Sequence, residues 1–168
     1  MADTLTLSCA CGRVELEARG APILTAACYC ADCREAGHRI EALPGAQPVV
    51  GPDGGTEYVL YRKDRVRYTR GEELLRRQKL RETSPTNRWV AGCCNSAMSV
   101  NFDDPKLFWV DLYRSRVTGE KPRLEMRVST RSKPEGATLP SDVPSYPGYP
   151  FKFIVRLLGA RFAMLLGP

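Results

Sequence analysis

Seven cysteines in three tight clusters constrain this sequence more than any other feature. They are Cys9 and Cys11, then Cys28, Cys30 and Cys33, and finally Cys93 and Cys94. Their number is odd, and the first residues show no basic and apolar leader, so we do not expect a disulfide framework. Cysteines that serve only as core residues would be scattered along the chain. Clusters of this kind are typical of thiolates that hold a metal ion.

The single histidine of the chain, His38, limits the available chemistry. Because two Cys₂His₂ sites cannot be built from one imidazole, any zinc must be held mainly by thiolates. We interpret His38 as an ordinary surface or core histidine. A nucleophile–histidine triad would depend on this one imidazole, and no such arrangement is evident in the sequence.

The hydrophobic pattern predicts a mainly β fold. Residues 4–8 and 13–18 alternate with period two, so they predict a hairpin whose tip carries Cys9 and Cys11. A short apolar strand, 23–27, leads into Cys28, and residues 31–36 resemble one helical turn ended by Gly37. Further strands are predicted at 58–62, 65–69, 98–101 and 107–112, whereas 72–77 fits either a helix or a strand.

We expect three parts along the 168 residues: a zinc-binding β domain (1–125), a proline-rich linker (126–150) and an amphipathic helix (151–168). Pro150 starts this helix and Gly167 stops it. Its apolar sequence is interrupted by Lys152, Arg156 and Arg161, which argues against a membrane span. The helix therefore packs on the domain, mediates a homo-oligomer, or lies at a membrane interface.

Positive charge is concentrated in one segment, residues 62–88. It holds ten basic and four acidic residues, a surplus of six that equals the net charge of the whole chain. The segment forms either a solvated face or a surface that attracts an acidic partner. Tyr58, Tyr61 and Tyr68 interleave with the cations, but such tyrosines usually pack between strands, so nucleic acid is a minor option.

The cysteine spacings predict two kinds of metal site. Gly12 and Asn95 follow cysteines at positions where a metal-binding turn requires φ > 0, so Cys9 and Cys11 can face Cys94, with or without Cys93. The middle run Cys28-x-Cys30-x-x-Cys33 offers three sulfurs and leaves a fourth position open, which is typical of catalytic zinc. Alternatively, the middle run completes one larger cluster or consists of redox thiols without metal.

The order of these motifs resembles the glutathione-dependent formaldehyde-activating enzyme family, which also includes centromere protein V. The resemblance covers roughly residues 5–115. It implies a small fold of stacked antiparallel sheets pinned by one or two zinc ions. Cys9, Cys11 and Cys94 would be structural ligands, and Cys28, Cys30 and Cys33 would hold a catalytic ion. It also implies a carbon–sulfur lyase that acts on a thiol–aldehyde adduct such as S-hydroxymethylglutathione. A cytoplasmic location is expected for a separate reason, because no targeting segment is visible in the sequence.

The sequence departs from the family pattern at the late cysteine turn. Aligning Cys94 with the second cysteine of that turn places Ala91 where the first cysteine belongs, and Cys93 follows two positions later. Either Cys93 substitutes through a distorted turn, or the site has three protein sulfurs. Two functional hypotheses therefore remain: the lyase, and a zinc-stabilised binding module that uses the basic 62–88 segment for an acidic partner.

Overall fold

The computed structural model describes residues 4–166, which form ten strands and two α-helices. The strands are β1 (Thr4–Ser8), β2 (Glu15–Arg19), β3 (Leu24–Cys28), β4 (Thr56–Arg62), β5 (Val66–Arg70), β6 (Leu75–Gln78), β7 (Thr86–Ala91), β8 (Ser96–Phe102), β9 (Trp109–Tyr113) and β10 (Met126–Val128). The helices are α1 (Ala31–Glu41) and α2 (Phe151–Leu165).

Two sheets organise the molecule. The small sheet has the antiparallel order β1-β2-β5, and the large one has the order β10-β3-β4-β9-β8-β7-β6. All neighbours in the large sheet are antiparallel except β10 and β3, which are parallel, so this sheet is mixed. The predicted mainly β fold with a C-terminal helix is confirmed.

The large sheet is buried on both faces because its strands alternate between two hydrophobic cores. In β4, Val59 and Tyr61 belong to the core shared with the small sheet, whereas Tyr58 and Leu60 belong to the core beneath the helices. The first core also contains Leu7, Leu16, Met98 and Leu112. The second contains Ile40 of α1 and Phe153 and Leu157 of α2. The fold therefore has three layers: small sheet, large sheet and helices.

The first helix is longer than the single turn that the sequence predicts. It continues through Gly37 to Glu41, so the interpretation of Gly37 as a helix stop is wrong. A Cβ atom at this position would lie 2.4 Å from Val50 Cγ2. Glycine is therefore required for the close approach of the 49–50 segment, and it does not end the helix.

Two further segments join the large sheet: one that the sequence left open between helix and strand, and one predicted as linker. The 72–77 region consists of a 3₁₀ turn (Glu72–Leu74) followed by β6, so the alternating pattern decides in favour of a strand. Strand β10 lies inside the predicted 126–150 linker and hydrogen-bonds to β3. The proline-rich chain returns to it, because the Arg127 N–H donates to Pro144 O and the Tyr146 N–H donates to Arg127 O, both at 2.9 Å.

Helix α2 begins directly after Pro150, as the sequence predicts. Phe153 and Leu157 form its buried inner face, and Arg156 Nη1 lies 3.1 Å from Glu125 Oε2. Its outer face is apolar and exposed: Phe151, Ile154, Val155, Leu158, Phe162 and Leu165. Within residues 4–166, neither helix has the length and hydropathy that crossing a membrane requires.

Candidate metal centres and the adjoining cavity

The first cysteine group joins two turns that are far apart in sequence. Cys9 and Cys11 lie in the β1–β2 turn, and Cys93 and Cys94 lie in the β7–β8 turn. The Ala10 N–H donates to Ser96 Oγ at 3.0 Å and ties the turns together. Gly12 and Asn95 have φ of 75° and 55°, so the predicted left-handed conformations are confirmed.

The sulfur positions of this group suit one metal ion. Four sulfurs at 2.3 Å from a tetrahedral ion would be about 3.8 Å apart. The Sγ atom of Cys93 lies 3.8 Å from that of Cys9, 3.3 Å from that of Cys11 and 3.9 Å from that of Cys94. The turn places the Cys93 sulfur inside the group even though Ala91 occupies the usual first position. Of the two sequence alternatives, the geometry favours a four-sulfur site.

Hydrogen bonding distinguishes the thiols of the first group. The backbone N–H of Arg13, together with Cys93, lowers the pKa of Cys11 to about 6. Burial and the thiols of Cys11 and Cys9 raise the pKa of Cys93 to about 12. Since thiolate is the form that binds metal, Cys11 is the member already prepared to bind at neutral pH.

The second cysteine group lies where β3 passes into α1. Cys28 ends the strand, Cys30 is the N-cap of the helix and Cys33 occupies its first turn. Their sulfur atoms all lie within 4.8 Å of one another. The Cys33 N–H donates to Cys30 Sγ at 3.3 Å, so the strand-to-helix junction itself directs this sulfur inward.

One thiolate is strongly favoured in this second group. Hydrogen bonds from Cys28 and Cys33 lower the pKa of Cys30 to about 2. The hydrogen bond between Cys28 and Cys30 in turn raises the pKa of Cys28 to about 11. The positive end of the α1 dipole also favours negative charge at the N-cap. The donor atoms of this group are cysteine sulfurs alone, which suits zinc among the common metal ions.

A cavity of about 190 Å³ adjoins the three cysteines. Its walls are largely apolar and aromatic: Tyr58, Leu60, Val100, Phe102, Trp109, Tyr149 and Phe153. Polar side chains enter it from Asp32, Arg88 and Asp111. Within the described residues, the second group contains three potential metal ligands, whereas the first contains four. A metal held by the second group would therefore have a coordination position left for a ligand.

Arg88 is a buried cation in the wall of this cavity, only 3% exposed. Its Nη2 donates to the Asp32 carbonyl oxygen at 3.3 Å, while Nε and Nη1 have no hydrogen-bond partner among residues 4–166. Burial opposes its charge, but Tyr113, Tyr58 and Cys33 outweigh that effect and raise the pKa of Arg88.

Asp111 is the acidic counterpart on β9. Burial raises the pKa of its carboxyl to about 7, against the opposing effect of the Arg88 charge. Its Oδ1 is buried and accepts no hydrogen bond from the residues that the structure describes.

The sequence alone did not identify Arg88 or Asp111 as residues of the site. Charge alone assigns Arg88 to the surface cations, although it lies two residues before the buried Val90 on the same strand. Asp111 lies between the buried Val110 and Leu112, a pattern that places it on the opposite face of the strand.

The basic segment does not form one continuous face. Its residues are divided between β5 in the small sheet and β4, β6 and β7 in the large sheet. Several of its cations pair with carboxylates: Arg62 with Asp64, Arg67 with Glu17, Arg70 with Glu15, Lys79 with Asp103 and Arg81 with Asp32. Little of the predicted surplus is therefore concentrated at a single place. His38 lies exposed on α1, 3.0 Å from Glu41, outside both cysteine groups.

Comparisons with known proteins agree with these observations. A crystal structure of a Rhodobacter sphaeroides protein is similar, with a TM-score of 0.50, 18% identity, and coverage of 84% of this chain and 99% of that one. At this identity the similarity shows the fold alone. No curated protein matches the sequence. The sequence model of the glutathione-dependent formaldehyde-activating enzyme family matches residues 4–43, which contain five of the seven cysteines. In this part of the chain the predicted resemblance to the glutathione-dependent formaldehyde-activating enzyme family is thus confirmed.

Proposed function

We propose that this protein is a zinc-dependent carbon–sulfur lyase that cleaves or forms an adduct of a glutathione-like thiol and a small aldehyde. The observation that carries the proposal is the three-cysteine group at the wall of a cavity, beside a buried arginine. The family match supports a glutathione-related substrate, and S-hydroxymethylglutathione is the first compound to test.

Cys28, Cys30 and Cys33 would hold the catalytic ion, while Cys9, Cys11, Cys93 and Cys94 would hold a structural one. A zinc ion bound beside the cavity would lower the pKa of an incoming thiol and accept its sulfur. Three thiolates and one dication carry a net charge of −1, so the nearby guanidinium of Arg88 balances the centre. This positive charge also favours an anionic thiol over a neutral one.

The shape of the cavity limits what reacts inside it. About 190 Å³ accommodates a cysteinyl side chain with a one-carbon adduct, but the remainder of a tripeptide would extend beyond it. The aromatic wall of Phe102, Trp109 and Phe153 displaces water from the reacting carbon. We therefore expect small aldehydes to be preferred.

Exchange between glutathione and its formaldehyde adduct tests this function directly. Proton NMR of the zinc-loaded protein measures the exchange rate against the uncatalysed rate in the same buffer. We expect saturable acceleration that Cys30→Ser reduces to the uncatalysed rate. The matched control is Ala31→Ser, which changes the exposed neighbouring residue and should keep the parent rate. A parent rate equal to the uncatalysed one would refute the lyase proposal.

The alternative is a binding module without chemistry, and two exposed arginines favour it. Arg76 and Arg77 lie on β6, at the edge of the large sheet. This hypothesis predicts salt-sensitive retention on heparin that weakens in Arg76→Glu/Arg77→Glu. The matched control, Lys121→Glu/Arg123→Glu, makes the same charge change at exposed positions outside the segment. Equal retention of both double variants would count against the alternative.

A further inference from the structure

The cavity beside the second cysteine group contains a buried hydrogen-bond donor and a buried acceptor that do not bind each other. In the described part of the chain, two nitrogen atoms of Arg88 and one oxygen atom of Asp111 have no nitrogen or oxygen partner for a hydrogen bond, and the Arg88 guanidinium also interacts with the Cys33 thiol. Both side chains line the cavity. Arg88 and Asp111 also form no ion pair with each other, unlike the surface arginines that do pair with carboxylates.

The sheet register fixes the relative positions of the two residues. Arg88 pairs with Val100 across β7 and β8, and Val100 pairs with Asp111 across β8 and β9. The two residues are therefore in one row, two strand spacings apart, or about 10 Å between Cα atoms. The short side chain of Val100 lies between them and also lines the cavity. This leaves room for a small polar group above Val100.

Unpaired buried groups of this kind are destabilising unless a ligand satisfies them. Arginine offers only donors and an ionised carboxylate offers only acceptors. A hydroxyl group both accepts and donates, so a hydroxyl between the two residues would satisfy both. The adduct of a thiol and an aldehyde carries such a hydroxyl on the carbon that is bonded to sulfur.

We propose that Arg88 and Asp111 are catalytic residues that bind the hydroxyl of the adduct, an inference that rests on the proposed function. In the cleavage direction, Asp111 accepts the hydroxyl proton while Arg88 donates hydrogen bonds to the same oxygen. The electron pair of the O–H bond forms the carbonyl bond, the C–S bond breaks and its electron pair remains on sulfur. The proton then passes from Asp111 to the thiolate or to water. Adduct formation is the reverse, and neither direction needs an oxidant or a reductant.

Conservative variants separate this role from metal binding. In the exchange assay, Asp111→Asn should lower the rate roughly 100-fold, as expected for the loss of a general base. Arg88→Met should lower it by about 100-fold, and Arg88→Lys should restore part of the rate because it retains a donor. Zinc content should equal that of the parent in all three. Asp104→Asn and Arg123→Lys are exposed controls that should keep the parent rate.

Ligand binding supplies a second readout that needs no turnover. S-(2-hydroxyethyl)glutathione and S-ethylglutathione differ mainly in the hydroxyl group. Calorimetry on the zinc-loaded parent should show roughly tenfold tighter binding of the hydroxyl compound. Asp111→Asn and Arg88→Met should bind the two compounds equally, and their melting temperatures report whether they are folded.

The outcomes distinguish this inference from the proposed function. An active parent with variants of equal rate and equal ligand preference would overturn the roles of Arg88 and Asp111 and leave the lyase in place. Zinc lost together with activity would overturn them too, because it would assign these residues to the metal centre. A parent without turnover would overturn the lyase and, with it, this inference. If Arg88→Met does not fold, Asp111→Asn alone decides.

Discussion

Cys93 is the residue on which the first metal centre depends most. Its sulfur lies within 3.8 Å of those of both Cys9 and Cys11, so it links the two turns. We expect Cys93→Ser to lose the zinc of this centre, keep the other, and melt roughly 10 °C lower, because one ligand of a closed site is removed. Metal analysis and calorimetry measure both effects. Full zinc content with an unchanged melting temperature would show that three sulfurs suffice.

Asp111 should make stability depend on pH. Its folded pKa of about 7 is higher than the ~3.9 of an unfolded chain, so the folded state binds the proton more tightly. The stabilisation is complete below about pH 4 and is lost as the pH rises to 7, by an amount on the order of 4 kcal/mol. Asp111→Asn should remove this dependence, so parent and variant melting temperatures should converge toward low pH. Parallel curves between pH 4 and 8 would contradict the assignment.

Some residue roles could be read from local patterns and others could not. The left-handed Gly12 and Asn95 follow from the cysteine turns that contain them. The cavity positions of Arg88 and Asp111 could not be predicted, because the cavity wall is assembled from several strands and both helices. Charge alone suggested a surface position for Arg88, whereas the pairing of β7 with β8 directs it into the cavity.

At the scale of elements, α1 depends on a glycine in its interior. Gly37→Ala would improve helix propensity by about 1 kcal/mol, but the new Cβ would lie 2.4 Å from Val50 Cγ2. Overpacking of this kind costs about 1–3 kcal/mol, so we expect net destabilisation. Gly159→Ala in α2 is the matched control, since its Cβ meets no described atom within 4 Å, and it should raise the free energy of unfolding. Equal shifts in the denaturant midpoints of Gly37→Ala and Gly159→Ala would contradict this expectation, because they would show that the 49–50 segment moves away from the new Cβ without cost.

Element boundaries were predictable where the pattern is local. The β1–β2 hairpin and the start of α2 at Pro150 follow directly from alternation and proline. The end of α1 did not, because Gly37 acts through packing against a distant loop. Strand β10 also escaped prediction, since three residues gain their order from pairing with β3, about 100 positions earlier.

At the scale of the whole molecule, no element within residues 4–166 covers the outer face of α2. The six large apolar side chains of this face, from Phe151 to Leu165, are 43–83% exposed. Together they expose on the order of 700 Å², more than the largest patch of a typical monomer and near the area that one partner contributes to a standard interface. We propose that two copies of the chain pack through α2.

Light scattering after size exclusion tests this dimer. We expect the parent to have twice the chain mass, and Leu158→Glu/Phe162→Glu to be monomeric with its zinc retained. The control Lys152→Glu changes a charge on the same helix and should stay dimeric. A parent that is monomeric at micromolar concentrations would contradict the proposal and leave a membrane surface as the alternative partner.

Metal content per chain is the measurement that tests the central claim most directly. The protein should be purified without chelator and analysed by mass spectrometry for zinc, as the parent and as Cys30→Ser. Two separate cysteine groups predict two zinc ions in the parent and one in the variant, with the first centre intact. One zinc in both proteins would contradict the account, because the three-cysteine group beside the cavity would then hold no metal.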